Sequence, residues 1–208
     1  MLDIVIPHYN EPWYICRKLL WTLNMQRIVN WDEIYVTVVN DGGNRMPEEE
    51  LEKLDYRCVQ LDIPHGGVSA ARNAGLDHAD EPWIMFCDSD DAFTNIYALE
   101  EILQEIRANP ECDVIWTQCV TEFGCIVAPI EPWRAFAFTH GKAYRRQFLL
   151  DNGIRFEEGR SYGEDTMFNF EVMAKTSRIR QAKTSMPAYS WIRRGGSVTS
   201  RKMAEMRK

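Results

Sequence analysis

The chain has 208 residues, 45% apolar and 26% charged, with a formal net charge of −7 at pH 7. That length suits one domain with a sizeable core, and the balance is that of an ordinary globular protein rather than a disordered or fibrous one. No apolar run reaches the roughly 20 residues needed to span a bilayer, and MLDIVIPHYN lacks a basic leader before a long apolar core, so the expectation is a cytoplasmic protein.

Residues 2–6 (LDIVI) form a strand stopped by Pro7, with His8, Tyr9 and Asn10 as a loop at its carboxyl end. Pro12 opens a helix over 13–26, with Ile15, Leu19, Leu20 and Leu23 on one face. A second strand, 33–39, runs into Asn40-Asp41-Gly42-Gly43, whose paired glycines mark a tight turn and leave Asp41 exposed at the strand end. A short acidic helix over 47–54 and a third strand over 57–63 follow. The stretch GGVSAARNAGL (66–76) is a glycine-led helix or turn whose free N–H groups make an anion site, with Arg72 aimed at the strand ends. Next, residues 83–87 (WIMFC) read as a strand buried on both faces.

That strand ends in Asp88, Asp90 and Asp91, with only Ser89 among them. Two readings compete. The acids form a solvated turn capping the helix expected over 93–108, or they supply oxygen ligands to Mg²⁺ or Mn²⁺ where open α/β sheets bind their ligands. Three strand ends carry polar sets: Tyr9 and Asn10, then Asp41, then the acidic turn. Residues 1–108 thus alternate β-α-β-α-β-α-β-α, which implies a mainly parallel sheet flanked by helices.

The second half, 109–208, changes character. Strands are expected over 113–122 and 125–130, as a hairpin turned at Gly124, and over 135–139. His140-Gly141-Lys142 and a helix over 144–150 come next, then a helix over 163–175 opened by Gly163-Glu164-Asp165. Acids in a first helical turn suit the helix dipole, so capping is one reading of Glu164 and Asp165. Last come strands over 178–182 and 188–192 and a loop over 193–197. From Arg178 onward there are nine Lys/Arg and one acid, a basic end of +8 on a body of −15. Such an end fits a polyanion, a peripheral membrane surface, or a merely solvated tail. The six cysteines are scattered, without a C-x-x-C pair, and read as reduced core thiols rather than a zinc site. No linker divides the chain, so 1–208 is taken as one domain.

In order along the chain, IPHYN (6–10), VNDGG (39–43), GGVSAARNAGL (66–76), FCDSDD (86–91) and GEDTMFNF (163–170) resemble the inverting family 2 glycosyltransferases of the GT-A, Rossmann-like fold. HGKAYRRQFLLDNGIRFEEG (140–159) and YSWIRRGGSVTS (189–200) also look like later segments of that family. The resemblance implies a nucleotide-sugar donor, usually a UDP-sugar, bound by residues 1–108, with acceptor and base in 109–208. It implies that Pro7, Tyr9 and Asn10 frame the nucleotide, that Asp41 holds the uracil and that Arg72 touches base or phosphate. Asp88 would contact the ribose and, with Asp90, the Mn²⁺ or Mg²⁺ on the pyrophosphate, leaving Asp91 as a third acid. Asp165, beside Glu164, matches the catalytic base, and Arg193 and Arg194 would grip the pyrophosphate. His8 takes no role. A late metal-binding histidine of some relatives is missing, so water or phosphate oxygens complete the coordination, or His140 does so by another route. The acceptor expected is a glycan or lipid-linked glycan, with a protein or modified nucleic acid as alternatives, and an oligomer could contribute to its recognition. An inactive nucleotide-sugar or glycan-binding module would be expected to lack Asp90 or Asp165; both are present. A nucleotidyltransferase would want a glycine-rich phosphate loop after the first strand, and HYNEPW has none.

Overall fold

The computed structural model describes residues 1–27, 30–123, 126–129, 137–160 and 162–193. Every residue of β1 (Leu2–His8) is buried, as a strand apolar on both faces must be when helices cover both sides. β1 pairs in parallel with β2 (Ile34–Asp41) on one side, and β3 (Arg57–Ile63) extends the sheet beyond β2. On its other side β1 pairs in parallel with β4 (Trp83–Phe86). Further out lie β6 (Val114–Trp116), β9 (Lys142–Arg145) and β10 (Ile179–Gln181), giving the order β10-β6-β9-β4-β1-β2-β3. Among the described residues of this sheet, only β9 runs against its neighbours, antiparallel to both β4 and β6.

Two helical layers cover this sheet, and the period-two alternation of strand side chains decides which residues meet which layer. Leu2, Ile4 and Ile6 share a core with Leu19, Leu20 and Leu23 of α1 (Trp13–Asn24) and Leu99, Ile102 and Leu103 of α4 (Ala98–Ala108). Val5, Ile84 and Phe86 share the other core with Ala71 and Leu76 of α3 (Val68–His78), Phe148 of α5 (Arg146–Asp151), and Phe168 and Val172 of α6 (Glu164–Lys175). α3 approaches β1 so closely that a Cβ on Gly75 would sit 2.2 Å from Val5 Cγ1. The short acidic helix is α2 (Glu48–Leu51).

A second sheet has the order β5-β11-β7-β8, from β5 (Ala92–Phe93), β11 (Tyr189–Ile192), β7 (Cys119–Phe123) and β8 (Ile126–Pro129). It joins the residues just after the acidic turn directly to the last described strand.

The first half matches the expected alternation, with corrections in detail. The helix expected from 93 begins at Ala98, because Ala92 and Phe93 pair with Ser190 and Tyr189 instead. The strand expected over 113–122 is two strands in two sheets, broken where Thr117 N–H donates to Gly141 O. β7 and β8 do form an antiparallel pair, although Gly124 and Cys125 lie outside the described residues. Residues 135 and 136 also lie outside, and 137–139 are not in a strand. The helix expected from 144 starts at Arg146, because Tyr144 is taken into β9 opposite Ile84 and Val114. Tertiary pairing there overrides a locally helical pattern. Cys16, Cys87, Cys112 and Cys119 are buried free thiols and Cys58 is half-buried. Among the described residues no helix is long and apolar enough to cross a membrane.

Candidate active site

The carboxyl ends of β1, β2 and β4 define one edge of the sheet. Because β9 is reversed, the residues leading into it, Thr139, His140 and Gly141, arrive at that same edge. Gly141 makes the entry feasible: its φ is +63°, and a Cβ there would lie 2.4 Å from Cys119 Sγ. The N-terminus of α6 reaches the edge from the other half.

Arg72, on α3, is the centre of the charge arrangement. Its side chain is 2% exposed, and its Nη2 donates to Asp88 Oδ1 at 2.7 Å. Nη1 donates to Asp165 Oδ1 at 2.5 Å and lies 3.4 Å from Glu164 Oε1. Burial works against the charged guanidinium, but Asp165, Asp88 and Glu164 outweigh it and hold it protonated. Burial likewise opposes ionisation of Asp88, yet Arg72 and His140 keep its carboxyl below the usual range. Glu164 is pushed up by burial and by Asp165 beside it. The other oxygen of Asp165, Oδ2, accepts from Thr139 Oγ1 at 3.1 Å and from Thr139 N–H at 3.4 Å. α6 itself begins at the left-handed Gly163 without a side-chain cap. The carboxylate of Asp165 therefore spans α3 and the strand edge rather than capping its own helix, which disfavours the capping reading.

The acidic turn divides its three carboxylates. Asp88 and Asp90 are half-buried, whereas Asp91 is fully buried. Asp91 Oδ1 accepts from Ile192 N–H at 2.9 Å, and its Oδ2 lies 3.6 Å from His140 Nδ1. Burial, with Asp88 and Asp90 adding negative charge, pushes the Asp91 carboxyl well up. Ligand atoms of Asp88, Asp91 and His140 lie within 4.8 Å of one another, a donor set that fits a divalent cation; Asp90 is not in that trio. His140 stacks among the rings of Phe138, Tyr189 and Trp191. Next to it Lys142, 2% exposed, donates to Phe138 O, and burial pulls its ammonium down to about 8.

At the β1 and β2 ends the glycine-rich loop already holds an anion from its own chain. Asp41 Oδ1 accepts from Gly66 N–H at 2.7 Å and Oδ2 from Gly67 N–H at 2.9 Å. Asp41 is therefore buried, not exposed as the sequence led one to expect: its carboxylate neutralises the free N–H groups ahead of α3. His65 Nδ1 lies 2.8 Å from Asp41 Oδ2, and the His65 ring stacks on Tyr9 at 4.3 Å. Tyr9 is 45% exposed, so this stack presents an open aromatic face. Asn10, at φ +57°, accepts from Asn44 N–H and so ties the first loop to the second. Pro7 is buried within β1 opposite Val39.

Residues 3–175 match the sequence model of glycosyl transferase family 2. The chain belongs to glycosyltransferase family 2. It is 26% identical over 217 residues to the poly(ribitol-phosphate) beta-N-acetylglucosaminyltransferase TarS of Staphylococcus aureus, covering 95% of this chain and 37% of TarS. It is 26% identical to the minor teichoic acid biosynthesis protein GgaA of Bacillus subtilis, covering 86% of this chain and 44% of that protein. The chain thus spans less than half the length of either relative. The structure of residues 1–349 of S. aureus TarS in complex with UDP-GlcNAc superposes with a TM-score of 0.80 at 25% identity, covering 96% of this chain and 60% of that one. The Pyrobaculum calidifontis mannosyltransferase PcManGT, solved with GDP-Man and Mn²⁺, shares the fold at a TM-score of 0.66 and 18% identity, covering 92% of this chain and 56% of its own.

Within this family 2 domain the structure gathers Asp88, Arg72, Glu164 and Asp165 into one cluster and keeps Tyr9, Asn10 and Asp41 along the same sheet edge. Arg193 is held over the Trp191 ring at 5.6 Å, and that ring stacks on His140. Arg194 lies outside the described residues. Thr139, His65 and Lys142 were given no role from the sequence, whereas Asp91 was read as a third acid of the turn and His140 as an alternative route to metal coordination. No local signal gave their place: Lys142-Ala143-Tyr144-Arg145 does not alternate, and only the pairing of β9 with β4 and β6 puts residues 139–141 at the sheet edge.

Proposed function

We propose that the protein is an inverting glycosyltransferase that moves a sugar from a UDP-sugar to an acceptor hydroxyl. The observation that carries this reading is the placing of Asp165: buried, held by Arg72 and Thr139, and linked through Arg72 to Asp88 at the strand end. TarS, bound to UDP-GlcNAc in a closely superposing structure, supports the choice of a UDP-sugar.

In this reading residues 1–108 carry the donor. The Tyr9–His65 stack offers a flat apolar surface for the base, beside Pro7, Asn10 and Asp41. Asp88 meets the ribose, and Arg72 and Arg193, with Arg194, bring positive charge toward the phosphates. The acidic turn, with Asp88 and Asp90, holds Mn²⁺ or Mg²⁺. When bound, that ion supplies Lewis-acid stabilisation of the leaving diphosphate.

Residues 109–208 carry the acceptor. Asp165 takes the proton from the acceptor hydroxyl as its oxygen forms the new bond to the anomeric carbon, on the face opposite the breaking bond to the diphosphate. An α-linked donor therefore gives a β-linked product. Thr139 and Arg72 fix both oxygens of that base, and Glu164 tunes the local charge. The acceptor is a glycan or lipid-linked glycan, and the basic segment from Arg178 contacts a polyanion or peripheral membrane surface.

The test is a panel of UDP- and GDP-sugars with nucleoside diphosphate release as the readout, run in Mn²⁺ and in EDTA. Release from one or more UDP-sugars, dependent on metal, is expected. Binding of UDP-sugars with no turnover in the presence of any glycan acceptor would favour a non-catalytic binding module, and full activity in EDTA would remove the metal.

A further inference from the structure

Helix α1 turns Cys16, Leu19, Leu20 and Leu23 into the core. With about 100° per residue, Tyr14, Trp21 and Met25 fall within an arc of about 40° on the opposite side. They are 67%, 50% and 60% exposed, so the stripe farthest from the core, where a surface helix ordinarily carries charge, is aromatic and apolar. Arg17 and Lys18 flank that stripe, one on each side. The Arg17 guanidinium carbon lies 4.7 Å from the Trp21 ring centroid, which sets its cation against the stripe. Just past the helix, Arg27 N–H donates to Ile96 O at 2.6 Å and Gln26 Nε2 to Asn95 O at 2.8 Å. Those bonds bring the exposed Ile96 and Tyr97 alongside the carboxyl end of α1.

Charge decides what suits this face. Residues 13–27 hold Arg17, Lys18 and Arg27 and no acid, a local balance of +3 in a chain of −7. The first turn lacks the Asp or Glu that the helix dipole favours. Acids bordering the helix are engaged: Glu11 with His8, Asp55 with Asn24 and Glu122 with Lys18. The last pair is exposed and weak, so Lys18 can exchange it for a lipid phosphate. A second copy of the face would oppose like charges without an acid to pair them. The outward side of α6 differs, since Glu171 stands beside its exposed Met167 and Phe170. Trp and Tyr with flanking Arg and Lys are the side chains that settle at the headgroup level of a bilayer, rings inward and cations on phosphate.

We propose that the outward face of α1 docks on an anionic phospholipid surface, with Tyr14, Trp21 and Met25 entering the headgroup boundary and Arg17, Lys18 and Arg27 meeting lipid phosphates. This surface is separate from the basic segment that starts at Arg178. The docking rests on α1 and not on the transferase reading. If that reading holds, the bilayer lies beside the Tyr9–Asn10 loop leading into α1, where a lipid-linked acceptor would arrive.

Vesicle sedimentation tests it. The whole protein is mixed with vesicles of phosphatidylcholine, with and without phosphatidylglycerol, at low and high salt. Binding to the anionic vesicles, weakened by salt, is expected. Arg17→Gln should weaken it about 5-fold at low salt, and Trp21→Ser about 10-fold. Trp21 is half-exposed, so Trp21→Ser should unfold at the parent's urea concentration. Lipids brominated near the headgroup should quench part of the parent's tryptophan fluorescence, and Trp21→Phe should remove that part. Arg201→Gln combined with Lys202→Gln, in the basic end, should leave the quenching in place. No binding to anionic vesicles, binding unchanged in Trp21→Ser, or no quenching in the bound parent would each overturn the proposal. So would a parent dimer in solution that Trp21→Ser splits, which would give the face to a second copy. Docking through Trp21 by a protein that turns over no sugar nucleotide would sink the functional reading and leave this one standing.

Discussion

Arg72→Met removes the charge shared by three carboxylates while keeping an apolar stem against the Phe156 ring, which lies 5.1 Å from the guanidinium carbon. The Arg72 side chain is 2% exposed and those of Asp88, Glu164 and Asp165 are 30%, 18% and 12% exposed. Stranding one side of a buried ion pair costs about 3–5 kcal/mol. Partial exposure of the acids screens some of that, so we expect a loss near the lower limit, about 3 kcal/mol. The loss should depend on pH. Asp88, held below its usual range by Arg72, contributes stability that is present above the unfolded carboxylate pKa and lost as pH falls through the folded value. The variant lacks this contribution at neutral pH, and both proteins lack it in acid. Urea denaturation in EDTA, at steps from pH 7 to pH 3, should show the gap between parent and variant narrowing as the carboxylates protonate. A gap that is constant across that range, or below about 1 kcal/mol at pH 7, would refute the idea that Arg72 is stabilised chiefly by its acids.

Asp165→Asn should keep UDP affinity within a few-fold and lower turnover by about 10²–10⁴, measured by single-turnover sugar transfer; an anomer retained in the parent's product would contradict inversion. Gly75→Ala should cost about 1–3 kcal/mol in thermal or urea unfolding, since its Cβ meets Val5 at 2.2 Å where α3 presses on β1. Asp113, 1% exposed, accepts from Arg145, Arg178 and Thr176 and joins β6, β9 and the approach to β10. Its carboxyl is held low by those partners against burial, so Asp113→Asn should lose about 1–3 kcal/mol above pH 5 and progressively less as pH falls through the depressed pKa.

The parallel half was readable because its signals are local. LDIVI, EIYVTVV and WIMFC are short, predominantly apolar runs closed by proline, glycine or acids, and the helices between them carry their own apolar faces. β9 was not readable for the opposite reason. Tyr144 fits a helix by its near neighbours, and only its pairing with Ile84 and Val114 makes it a strand. The site followed the same division. Asp88, Arg72 and Asp165 were found as residues, but their union depends on contacts 16 and 93 positions apart in sequence. Asp41 was placed at the correct strand end and misjudged as exposed, because nothing local shows that Gly66 and Gly67 fold back onto it.

The reversed strand β9 also sets a hazard for biosynthesis. β4 ends at Phe86, and the strand that covers its open edge does not begin until Lys142. At about 5–20 residues per second the ribosome takes roughly 3–11 s to supply that stretch. Throughout that interval Trp83, Ile84, Met85 and Phe86 present an unpaired apolar edge, with β1 available on one side only. Such an edge is a template for pairing with another nascent chain. Yield from a cell should therefore respond more strongly to translation speed and to chaperones that hold extended apolar segments than the stability of the finished protein would suggest.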